Sequence, residues 1–95
     1  MGRRFKKVID RGHGFVFKYD STDPTILHNF ARHLTTEQDA IDSFFDAEAI
    51  ASRIWNDERQ RFEQFSATHG LYWFWLDEGA SDVMVISCFK LGGQA

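Results

Sequence analysis

The sequence predicts an α+β domain in which an amino-terminal hairpin and two or three helices pack on an antiparallel sheet. Three observations predict it. Phe15, Phe17 and Tyr19 alternate with Val16 and Lys18, the period of a half-buried strand. Ile26, Leu27, Phe30, Ala31 and Leu34 recur at helical spacing. The last third is a set of apolar stretches divided by turn residues.

The elements follow in order. Residues 5–9 and 14–19 read as two strands joined at Arg11-Gly12-His13. Asp23 caps a first helix, with Pro24 at its first position, where no amide hydrogen is needed. Thr35 before Gln38, or Thr36 before Asp39, has capping-box spacing for a second helix with Ala40, Ile41, Phe44 and Phe45 on its apolar face. Between Ala47 and Trp55 good helix formers without Gly or Pro predict helix over at least part of the stretch. Strands are expected over 60–67, 71–76 and 82–90, with turns at His69-Gly70 and 77–81. Leu71-Tyr72-Trp73-Phe74-Trp75-Leu76 is apolar on both faces. The expectation is a strand covered on two sides, in preference to a partner surface.

Size and composition narrow the class. Ninety-five residues make one domain, 1–95, with a loose tail over 91–95. A hydrophobic content of 43% with ten Phe and three Trp supplies a core and argues against disorder. No apolar run approaches the roughly 20 residues of a membrane span. No apolar stretch follows Met1-Gly2-Arg3-Arg4, so a cytoplasmic protein is expected. The single Cys88 allows no internal disulfide and zinc spacing is absent, so neither metal nor cofactor is expected.

The net charge of −3 weighs against a nucleic-acid enzyme, because phosphate contacts draw on Lys and Arg. Arg3, Arg4, Lys6, Lys7 and Arg11 nevertheless crowd the first residues and predict a locally basic surface. Metal-free RNA cleavage needs a base for the 2′-hydroxyl, cations for the phosphoryl oxygens and an acid for the leaving oxygen. Arg suits the phosphate and His the proton transfer. The candidates are His28, Arg32 and His33 on the first helix, Arg59 and Arg61 beside the first meander strand, and Lys90 at the end of the last. Each has a plainer reading. Arg59 and Arg61 lie among acids and read equally well as a solvated face. His33 suits a helix carboxyl end, and Lys90 a solubilising strand end. His13 and His69 fall in turns and read as structural. Cys88 reads as a small buried hydrophobe. Tyr72 to Trp75 read as core before base-stacking platform.

Taken in order, Phe17-Lys18-Tyr19-Asp20, Asn29 with Arg32-His33, Phe44-Phe45-Asp46, Glu58-Arg59, Arg61-Phe62 and Val85-Ile86-Ser87 resemble the BrnT family of bacterial toxins, relatives of the RelE ribonucleases. The resemblance spans Phe17 to Lys90. It implies a RelE-like fold, RNA cleavage that arrests growth, and a neutralising BrnA-like antitoxin partner. On that basis Arg59 and Arg61 would hold phosphate, His33 would transfer a proton, and Lys90 would add a cation. Arg32 and His28 would contact substrate. Family members usually carry Arg before Ile-Ile-Ser and a basic residue soon after it, where this chain has Met84 and Phe89. The added hairpin and Trp-rich strand also depart from the family. A second reading therefore stays open: a non-enzymatic acidic binding protein on a degenerate toxin fold, such as a phage- or mobile-element-encoded inhibitor of a nucleic-acid-binding partner. A homodimer through the Trp-rich strand is compatible with both.

Overall fold

A computed structural model describes residues 5–23, 25, 27–28 and 35–90. Most of the predicted first helix, including Asn29, Arg32 and His33, lies outside the described residues, as do Arg3, Arg4 and the tail. Strands β1 (Phe5–Asp10) and β2 (His13–Lys18) form the expected hairpin. Helices α1 (Glu37–Phe44) and α2 (Ala47–Ser52) follow. Strands β3 (Ile54–Asn56), β4 (Arg61–Ser66), β5 (Leu71–Gly79) and β6 (Asp82–Lys90) then complete one six-stranded sheet in the order β1-β2-β6-β5-β4-β3.

The fold is α+β, but the sheet is mixed where an antiparallel one was expected. Strand β6 returns beside β2 and runs parallel to it, with Phe15 against Val83. The helices between them supply the crossover that a parallel pair requires. Continued helix after Ala47 holds only to Ser52. Arg53 is already extended, and Ile54 and Trp55 join the sheet edge against Glu63 and Phe62. The last hairpin turns later than expected, at Ala80 and Ser81. Both have positive φ (52° and 66°), the backbone of a two-residue primed turn.

The helices are placed by their apolar stripes. Thr36 caps α1 by accepting the Asp39 amide hydrogen at 3.1 Å. Ala40, Ile41 and Phe44 then meet Phe15, Phe17, Trp73, Trp75, Val83 and Val85 in one core. Trp73 has no exposed surface, and its indole Nε1–H donates to Ser43 Oγ at 2.8 Å. Burial of such a large ring is thus matched by a partner for its polar edge.

One irregularity decides which side chains share a face. Trp75 pairs with Val85 and Trp73 with Cys88, so β6 uses three residues where β5 uses two. This bulge around Ile86 keeps Val83, Val85 and Cys88 all on the helix side.

Replacing Thr36 with Ala removes an amide cap and should lower stability by about 1 kcal/mol. A urea midpoint shifted down with an unchanged slope is the expected result.

Candidate functional site

The face of the sheet away from the helices carries the residues opposite to the core set. On β5 these are Tyr72, Phe74 and Leu76, which pair with Phe89, Ser87 and Met84. Phe65 and Glu63 lie beside them on β4, and Val16 beside Met84 on β2. Phe65, Tyr72, Phe74 and Phe89 form a continuous ring cluster, with successive centroids 5.3–5.8 Å apart. Ile9 and Ile54, 69% and 60% exposed, extend the apolar surface to both edge strands. The expected cover on both sides of the Trp-rich strand is therefore found on one side only among the described residues.

Two of the described cations on this face, Arg61 and Lys7, are engaged, while Lys18, on the same face of β2 as Val16, has no carboxylate partner among the described residues. Arg61 lies with its guanidinium 3.6 Å from the centre of the Phe74 ring and donates through Nε to Glu63 at 2.9 Å. Lys7 and Asp82 pair at 3.0 Å. Their side chains cross above Gly14, where a methyl group would meet Asp82 Oδ1 and Lys7 Cε at 2.5 Å each. The described members of the basic cluster expected near the amino terminus are neutralised in the same way. Lys6 pairs with Glu37, and Arg11 with Asp42 and Asp10. The Glu37 hydrogen bond raises the Lys6 pKa, and that of Asp42 raises Arg11. Asp42 is held below the usual carboxylate range by the Gln38 amide first and Arg11 second.

The remaining predicted residues are dispersed. Arg59 is exposed in the turn after β3, where its backbone amide donates to Asn56 Oδ1 at 3.0 Å. His28 has its Nδ1 3.8 Å from the nearly buried Asp20 carboxylate. That same carboxylate caps the following turn through the Thr22 and Asp23 amides, at 3.0 Å each. Lys90 pairs with Leu71 and so lies on the helix side, across the sheet from Arg61. The structure does not bring Arg59, Arg61 and Lys90 to one spot. The places of His33 and Arg32 lie outside the described residues.

Lys90 has a different neighbour from the one expected. It lines a recess of about 230 Å³ with Thr35, Asp39, His69 and Leu71. His69, which the sequence presents as a turn residue, is oriented there. Its Nδ1 is 3.1 Å from Ser66 Oγ, which lies 3.2 Å from Asp46 Oδ2. A carboxylate only accepts, so Ser66 O–H donates to Asp46. His69 Nδ1–H then donates to Ser66, and Nε2 is left as the basic nitrogen. Nothing in the His69-Gly70 turn signals this, because Ser66 and Asp46 are twenty residues apart.

A second missed residue is Arg53. Its guanidinium lies 4.9 Å from the ring centres of both Phe44 and Trp75, and its Nε donates to Gln64 Oε1 at 2.7 Å. Burial pushes its pKa down.

No metal cluster of three or more His, Cys, Asp or Glu occurs among the described residues, and no described helix is long and apolar enough to cross a membrane. Comparison with known protein families, curated proteins and solved structures gave no match.

Cys88 has no exposed surface, and burial pushes its thiol pKa far up. The native protein should therefore resist a thiol reagent at pH 8 that labels the urea-unfolded chain within minutes. Rapid labelling of folded protein would contradict this packing.

Proposed function

We propose that this chain is a divergent BrnT-like protein that acts as one half of a two-protein complex. An antitoxin-like partner would lay an apolar segment on the open face of the sheet. The arrangement of helices ahead of a strand meander, packed on one side of the sheet, supports the kinship with RelE- and BrnT-type folds. The observation that carries the function is the open face itself. Among the described residues, Phe65, Tyr72, Phe74, Phe89 and Met84 form an apolar strip, and the charges beside it are paired as Arg61–Glu63 and Lys7–Asp82, with Lys18 left unpaired. A face with most of its charges paired internally suits an apolar protein segment better than a phosphate backbone, which draws its affinity from several uncommitted cations. Cytoplasmic residence accords with this role.

RNA cleavage is the second reading, and one observation favours it: Lys90 and an oriented His69 line the same recess. There His69 Nε2 would take the 2′-hydroxyl proton and Lys90 would steady a phosphoryl oxygen. Arg59 and Arg61 take no part in that site.

The test is to produce the chain in bacteria alone and together with the product of its adjoining gene. The expected result is a stable complex with slowed amide exchange over residues 72–76 and 84–89, and no RNA decay from the isolated chain. Met84→Arg with Phe89→Arg should abolish the complex. Growth arrest by the isolated chain that is lost on His69→Ala or Lys90→Ala, with the open face unprotected in any complex, would give the ribonuclease reading the advantage. Sedimentation of the chain alone as a dimer through residues 72–76 would make a second copy the occupant and overturn the two-protein proposal.

A further inference from the structure

At the end of the sheet away from Lys90, on the helix side, lies a larger recess of about 310 Å³. His13, Phe44, Arg53, Trp75, Asp77 and Val83 line it, together with Asp82 and the residues of the β5–β6 turn. Half of the described cations in this chain face a carboxylate: Lys6, Lys7, Arg11 and Arg61 each do so. Lys18, Arg59 and Lys90 have no such pair among the described residues, Arg59 and Lys90 being exposed and Lys18 lying on the other face of the sheet. Arg53 differs from both groups. It is half-buried and sits between two aromatic rings, yet no carboxylate pairs with it among the described residues.

Its geometry is fixed from behind. Gln64, 2% exposed, accepts from Arg53 Nε at 2.7 Å and from Trp75 Nε1 at 3.0 Å, and its own amide donates to the Phe44 carbonyl at 3.2 Å. The amide is thereby locked in orientation with its oxygen toward Arg53. Among the described residues only Nε of the five guanidinium N–H donors has a hydrogen-bond acceptor, and Arg53 lines the recess. The acids nearby are partly committed. Asp77 Oδ1 accepts the Gly79 amide at 2.9 Å, and Asp82 holds Lys7. His13 Nδ1 lies 3.2 Å from the Arg11 carbonyl. A carbonyl only accepts, so this nitrogen carries the proton and Nε2 is the remaining polar position.

We infer that this recess binds a phosphomonoester, with the Arg53 fork on the phosphate and the attached group against Phe44, Trp75 and Val83. A pre-oriented, partly desolvated guanidinium gains more from a dianionic phosphate than from a monoanionic carboxylate. The apolar wall and the room beyond one small anion call for a ligand with a body. This site is on the face opposite the partner surface, and neither proposal depends on the other.

The test is a titration of the whole chain followed by nuclear magnetic resonance, using inorganic phosphate, phenyl phosphate and acetate at matched ionic strength. Saturable shifts centred on the Trp75 indole N–H and the Arg53 Nε–H are expected, with phenyl phosphate tighter than inorganic phosphate and acetate weakest. Arg53→Gln should weaken phenyl phosphate binding by about tenfold or more while leaving the remaining spectrum native. Arg53→Lys, which keeps the charge and loses the fork, should fall between. Shifts scattered over surface lysines, equal responses to acetate, or binding undiminished in Arg53→Gln would overturn the assignment. So would the absence of saturation at concentrations on the order of tens of millimolar. The localisation in the unaltered chain decides the matter even if both variants unfold.

Discussion

The interior of this protein is organised around one buried amide. Gln64 is almost wholly enclosed, yet each of its side-chain hydrogen bonds ends at a different place in the fold: the Phe44 carbonyl at the end of α1, the Trp75 indole on β5, and Arg53 just beyond α2. An apolar residue in its place would leave a carbonyl, an indole N–H and a guanidinium buried or half-buried without those partners. Each such loss costs about 1–3 kcal/mol. The amide therefore does more than fill space. It fixes the crossing of the helices over β4 and β5, and with it the position of Arg53, which has no carboxylate partner among the described residues.

Most of the local structure was legible in the sequence because it rests on short-range chemistry. The hairpin alternation, the Thr36 cap and the apolar stripe of α1 are set within a few residues. The features that escaped are long-range. That β6 runs parallel to β2 is a property of the crossover, and no strand pattern encodes it. Gln64 and Arg53 both look like surface residues in a polar stretch, since their partners lie eleven and twenty positions away. His69 was passed over for the same reason: its orientation comes from Ser66 and, through it, Asp46.

The candidate site failed to assemble for a more specific reason. With strict alternation along β6, Met84, Cys88 and Lys90 would share a face, and Lys90 would stand on the same side as Arg61. The bulge at Ile86 shifts the register by one residue and exchanges the faces beyond it. Cys88 is carried into the core and Lys90 to the helix side beside His69, while Phe89 is carried to the open side beside Tyr72. A single inserted residue thus separates two cations that a simple strand pattern would have placed together.

The same shift gives the departures from the BrnT pattern a shared location. Met84 and Phe89 differ in parity along the strand, yet the bulge puts both on the open face with Arg61. Basic residues at 84 and 89, which that pattern carries, would share one surface with Arg61. In this chain the first two positions are apolar, and the remaining guanidinium lies flat on Phe74 with its charge offset by Glu63. The three positions share one surface, on which two of them carry apolar side chains and the third a guanidinium stacked on an aromatic ring. The proposed protein partner draws on that same surface, because the paired charges, the ring cluster and the exposed edge isoleucines lie on it together.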